Sequence, residues 1–165
     1  MSTEKSNTAL ASLKFARKAT LGLLESIPED TLCHQPIPGC NHALWVAGHI
    51  AMTDEYFMHE VGGKPLTLFE QWKDTFFMGS KPTGKLSDYP AVADVKAALH
   101  NNREMFLTWF ASLDAKALAA PLPESLKDFA PNVATLGCTL AWHEGLHAGQ
   151  LSMIRKSLGL DPVFG

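Results

Sequence analysis

Residues 132-NVATLGCTLAWHEGLHAGQLSMIRKSLG-159 carry the most regular helical pattern in the chain. Leu136, Leu140, His143, His147, Gln150 and Ile154 recur in it at spacings of four, three, four, three and four. Side chains three and four apart share one face of a helix, so this is the inward seam of a helix packed in a bundle. The spacing predicts a helix over 132–158. Gly159 stands where a C′ glycine belongs, and Arg155 and Lys156 meet the negative end of the helix dipole.

Three more segments carry helical periodicity. The first covers 8–27, with Leu10, Leu13, Ala16, Leu21 and Leu24 near helical spacing and Pro28 closing it. The second covers 41–61, with Asn41 expected as the N-cap and Gly62-Gly63 as the stop. The third covers 89–113, with Asp88 just before it and Pro90 suited to the first turn. No strand pair, internal repeat or low-complexity tract stands out. The connection over 62–88 is long for a loop. Its Phe69, Trp72, Phe76 and Phe77 predict a short amphipathic piece folded over one end of the bundle, packed on the core rather than serving as a substrate lid. The expected fold class is all-α: a four-helix bundle with long connections and a short extra helix between helices two and three. A chain of 165 residues is read as a single domain spanning 1–165.

Bulk properties narrow the function. With 46% hydrophobic residues, 19% charged residues and a net charge of −3, nothing favours nucleic acid or an anionic membrane as partner. No window approaches the ~18 apolar residues of a membrane span. The polar N-terminal stretch has no continuous apolar region of the secretory kind, so a cytoplasmic protein is expected. Cys33, Cys40 and Cys138 form neither a CxxC pair nor a four-cysteine framework. The first two fall in CHQPIPGCNH, which has the look of a metal knuckle but whose Pro36, Pro38 and Gly39 favour an ordinary turn-rich connection, and Cys138 reads as a small core residue.

Two core positions of the last helix are histidine, and the next is glutamine. One turn apart, His143 and His147 project from one face about 6 Å apart along the axis, which lets both imidazoles reach one ion. The second helix repeats the pattern: His42, Trp45, His49, Met52 and Tyr56 follow spacings of three, four, three and four, placing His49 on its inward seam. An unpaired buried polar group costs on the order of 1–3 kcal/mol, so three imidazoles aimed at one interior call for a common partner. A divalent ion with an open position is that partner, and three neutral nitrogens suit zinc, nickel or iron(II). His42 is read as a rim residue, and His34, His59 and His100 as loop or surface residues.

His143-Glu144-Gly145-Leu146-His147 also satisfies HExxH, the zincin peptidase signature with Glu as general base. Only 18 residues follow His147, none of them His, and no sheet is expected to present a peptide. The peptidase reading is therefore set aside. Glu144 is left as a group behind the ligands, a proton-handling group or a solvent-facing residue. Gln150 stands as a neighbour of the ligands, a substrate-facing residue, or a residue that simply bonds a neighbouring helix.

With NHALWVAGHIAMTDEYF in the second helix and HEGLHAGQLSMIRKSLGL in the fourth, the chain resembles the DinB/YfiT-like family over essentially its whole length. The most specific part is His, three residues, His, one residue, Gly-Gln, then a basic pair and a Leu-Gly stop. The resemblance implies a metal on His49, His143 and His147, neighbouring second and fourth helices, and a homodimer. It also implies enzymes that use low-molecular-weight thiols, such as mycothiol-dependent isomerases and bacillithiol S-transferases. The functional expectation is a metal-dependent enzyme in which a thiol or water attacks a small-molecule substrate. A non-catalytic metal-binding stress-response module and a metal-dependent hydrolase remain the alternatives, and no catalytic residue is named. Trp45, Tyr56 and the aromatic residues of the long connection are expected to wall the pocket.

Overall fold

A computed structural model describes residues 2–164, with side chains from residue 7 onward. Six α-helices follow one another: α1 (Ser2–Glu25), α2 (Ala43–Gly62), α3 (Leu68–Phe76), α4 (Val92–Ala111), α5 (Ala115–Ala119) and α6 (Val133–Ser157). Among the described residues there is no strand. The long helices α1, α2, α4 and α6 build the all-α bundle, and α3 is the short helix expected between the second and third of them.

The punctuation of the chain explains the boundaries. At the N-terminus of α6, Asn132 accepts the Thr135 amide at 2.9 Å. The two glycines after the helices adopt the left-handed conformation that stops a helix, with φ of +63° at Gly63 and +73° at Gly159. Two expectations shift. The cap of α2 is His42, whose Nδ1 accepts the Trp45 amide at 3.1 Å, not Asn41. Helix α4 begins at Val92, after Pro90 rather than around it, because Ala91 still holds an extended ψ of 136°. The five-residue α5 was not foreseen.

Paired contacts define the topology. Going up α1, Ala9 packs at Gly137, Arg17 bonds Glu144, and Ser26 accepts from Arg155, so α1 and α6 run parallel. Likewise Ala51 meets Asn102, Asp54 meets Arg103, and Gly62 meets Trp109, so α2 and α4 run parallel. The pairs oppose one another: Asn41 reaches Gln150, whereas His49 reaches His143. Parallel neighbours need a long crossover to bring the chain back to its starting end. Residues 63–91, carrying α3, are that crossover between α2 and α4.

The apolar core has two halves. One gathers Leu23, Leu44, Ile50, Phe76, Leu99 and Leu151; the other gathers Leu13, Phe57, Phe106, Phe110, Leu136 and Leu140. Between them in sequence, on each long helix in turn, sits one charged residue: Arg17, Asp54, Arg103 and Glu144, each 6% exposed or less. Arg17 donates to Glu144 (2.6 Å) and to Asp54 (3.1 Å). Arg103 donates to both Asp54 oxygens (2.9 Å each) and to Glu144 (2.8 Å). Two cations and two anions cancel, and the bidentate fork is the geometry in which buried pairs offset most of their desolvation.

Cys138 corrects an expectation. It is exposed, because it lies two residues from Leu136 and therefore about 200° around α6 from the core seam. Cys33 is buried, and Cys40 is partly so.

Candidate metal centre

Helix α2 delivers His49 at 5% exposure and α6 delivers His147 at 8%, with His143 partly buried one turn earlier. The Nε2 atoms converge. His143 Nε2 lies 3.4 Å from that of His49 and 3.3 Å from that of His147, and a ligand atom from each of the three fits within 4.8 Å of the others. The spacing of the two helix seams thus brings together the three residues it singled out.

The opposite ring nitrogens are already committed. His49 Nδ1 donates to the Phe76 carbonyl at 2.9 Å, and His147 Nδ1 donates to Gln150 Oε1 at 2.9 Å. A proton fixed on Nδ1 leaves Nε2 with its lone pair free, the tautomer a metal requires. Of the roles left open for Gln150, the structure shows it beside a ligand, and Asn41 Nδ2 donates to the same Gln150 oxygen at 3.5 Å. Two nitrogens about 2.0–2.1 Å from a tetrahedral ion sit about 3.3 Å apart. The donor set fits a divalent ion, and the two spacings from His143 match those around a tetrahedral one.

Burial, reinforced by the neighbouring imidazoles, pushes His49 down to about 4 and His143 down to about 3. Burial also lowers His147, against the Gln150 bond and the Glu144 charge that raise it. All three rings are neutral at physiological pH, as ligands must be.

The Phe76 carbonyl was invisible to pattern reading, since a backbone acceptor carries no side-chain signal. Its placement has a local cause. A Cβ on Gly48 would lie 2.6 Å from the Phe76 ring, so only glycine lets the end of α3 press onto α2 beside His49. Residues 68–76 are thus more than a loop on the core, because they finish the site. At the N-terminus of α3, Glu55 accepts from the Thr67, Leu68 and Phe69 amides. Burial would raise its carboxyl, but these donors outweigh it and hold it low.

Trp45 stacks on His49 at 4.7 Å and 9°, tethered by its indole N–H to Ser80 Oγ at 2.8 Å. The Phe129 ring stands edge-on 6.4 Å from His143, an aromatic neighbour the sequence did not suggest. Tyr56, Phe69 and Phe77 pack on one another. His42, read as a rim residue, is fully buried with its ring edge-on to Tyr89 at 4.8 Å, because it has become the α2 cap. His34, His59 and His100 stay apart: the first bonds Ser157, the second the Lys64 carbonyl, and the third is exposed.

Glu144 settles the peptidase motif. It is 1% exposed and bound by Arg17 and Arg103, on the α1 side of α6. A carboxylate held between two guanidinium groups cannot serve as the general base of a zincin. No described helix is long and apolar enough to cross a membrane.

Four long helices around a cluster of three histidines define the class: an all-α bundle with a candidate metal centre between α2 and α6. The chain belongs to the DinB superfamily, which it matches over residues 12–151. No protein of curated function is similar enough in sequence to match it.

Proposed function

We propose that His49, His143 and His147 hold one divalent ion, zinc or nickel before iron(II), and that the protein is a metal-dependent enzyme acting on a small molecule with a thiol or water as nucleophile. The observation that supports this reading is the convergence of three Nε2 atoms whose partner nitrogens on His49 and His147 are already engaged as donors. A metal bound there would supply Lewis acidity, lowering the pKa of a thiol or water so that it is nucleophilic at neutral pH. Three protein ligands leave a position for that molecule, as catalytic sites do and closed structural sites do not.

The chain's own residues have definable tasks. Gln150 and the Phe76 carbonyl fix the two ring orientations. Trp45 covers one face of His49 and screens it from water, and Phe129 borders His143. The thiol of Cys138 is on the outer surface and Glu144 is locked in the core, so neither is assigned a reacting role. A low-molecular-weight thiol as co-substrate belongs to this reading, as does a cytoplasmic setting.

The test has two parts. Metal analysis of the purified protein should give one ion per chain, falling strongly in His49→Ala, His143→Ala and His147→Ala. A panel of cellular thiols with model electrophiles should then show metal-dependent turnover that His147→Ala abolishes. Stoichiometric metal retained in the triple variant would refute the site, and turnover by the metal-free protein would refute the chemistry. A loaded protein silent across the panel and with model esters would leave a non-catalytic metal-binding module as the better reading.

A further inference from the structure

Helix α3 takes its cap from another helix. It begins after Thr67, whose side chain caps nothing within α3. The free amides at that end turn instead to Glu55, a carboxylate of α2 that is 4% exposed. Its Oε1 accepts the Thr67 amide (3.0 Å), the Thr67 hydroxyl (2.7 Å) and the Leu68 amide (3.0 Å), and its Oε2 accepts the Phe69 amide (2.6 Å). The first amides of a helix have no partner inside it and lie at the positive end of its dipole, so an anion suits them.

The other end of α3 is fastened to the same helix. Phe76 presses its ring on Gly48 and gives its carbonyl to His49 Nδ1. Gly48 and Glu55 are two turns apart on α2, about 10.5 Å, and Leu68 and Phe76 are about 12 Å apart along α3. The two helices run antiparallel, and anchors of matching span at both ends leave α3 one position along α2. With nine residues, α3 is shorter than the roughly 12–15 below which an isolated helix is marginal in water. Its main packing partner is α2, so α2 dictates both its start and its place.

We infer that Glu55 is a positioning residue for the metal centre. By clasping the start of α3 it sets where the Phe76 carbonyl stands, and that carbonyl sets the orientation and tautomer of His49. All four of its hydrogen bonds go to the start of α3, about 9 Å of helix rise from His49. The effect therefore travels through α3 as a strut. Holding the proton on Nδ1 is what keeps the Nε2 lone pair available to an ion. The consequence for metal binding rests on the function proposed above, whereas the consequence for the ring stands without it.

Nitrogen-15 NMR of the metal-free protein should find the His49 ring as the Nδ1–H tautomer. Glu55→Ala should turn it into a mixture of tautomers, while helical circular dichroism falls by no more than the share of α3. Glu55→Gln keeps an oxygen for three of the four donors and should lie between the two. It carries the same comparison if the alanine variant melts below the working temperature. With zinc added, competitive titration should show about 10-fold weaker affinity in Glu55→Ala. Gly48→Ala together with Glu55→Ala should lose little more than either alone, because both act through one carbonyl. An unchanged tautomer in the Glu55 variants, or losses of affinity that simply multiply in the double variant, would overturn the inference. A parent protein that takes up no zinc, yet shows the tautomer change in Glu55→Ala, would refute the metal reading and leave Glu55 as the residue that orients His49.

Discussion

Replacing Glu144 with alanine is the sharpest probe of how this bundle is held together. The residue contributes one of two negative charges to a buried set of four, and all four are at most 6% exposed. Without it, Arg17 and Arg103 face Asp54 alone, and the layer carries an uncompensated positive charge away from water. Breaking a buried ion pair by removing one partner costs about 3–5 kcal/mol. Each kcal/mol lowers the melting temperature of a chain this size by about 2–4 °C. Thermal denaturation followed by helical circular dichroism should therefore fall by roughly 6–20 °C. The loss should be non-additive. Adding Arg17→Met to Glu144→Ala restores neutrality and should recover part of the stability, because the two residues share one network. Metal stoichiometry should survive, since no Nε2 of the site bonds Glu144. A melting point within about 2 °C of the parent, or a double variant that simply sums the two losses, would refute the argument. Metal loss at full helicity would return Glu144 to the site.

Other outcomes can be checked with the same protein. Gly48→Ala forces a methyl into the Phe76 ring and loosens the carbonyl that orients His49. Competitive metal titration should show about 10-fold weaker affinity, and unchanged affinity would refute the role given to Phe76. Removing the ion should leave a helical protein that melts lower, by about 2.7 kcal/mol of stability when free metal had stood at 100 times its dissociation constant. If chelation abolishes the helical signal, the site is structural. His42 gives a pH signature. Burial lowers it to about 4 in the folded state, against 6.5 when unfolded, so below pH 6.5 the unfolded chain takes up a proton that the native chain refuses. Its contribution is complete above pH 6.5 and is lost as the pH falls toward 4, about 3 kcal/mol in all. In metal-free protein, urea unfolding at pH 7 and pH 4.5 should differ less for His42→Asn, which can still cap α2. Equal differences would remove His42 from that account.

The helices and the histidines were legible because both rest on periodicity. A stripe at three-four spacing fixes which residues face inward, and His49, His143 and His147 declare themselves as polar groups in apolar seams. The same logic could have found Asp54 and Arg103. Each stands among apolar neighbours on a core-facing helix, but charged residues are so common on helix surfaces that one alone gives no alarm. Glu144 was harder, since HExxH offers it a ready chemical role that only its neighbours on α1 and α4 rule out. The cap of α2 slipped by one residue because asparagine is the better capping residue by propensity, whereas here the extended backbone falls at His42. Cys138 misled because its hydrophobic character was weighed before its angle around the helix. The Phe76 carbonyl had no signal at all.

The pairing of Arg17 with Glu144 spans 127 residues of chain, and this has a consequence during synthesis. At about 5–20 residues per second, the ribosome delivers Glu144 roughly 6–25 s after Arg17. Until then the two guanidinium groups of Arg17 and Arg103 have only the Asp54 carboxylate to balance them, and both halves of the core lack their α6 residues. Helix α6 brings the missing anion, two of the three histidines and the main packing partner of α1 together. A chain stopped short of α6 therefore lacks both the balance of its buried charges and two of its three candidate ligands.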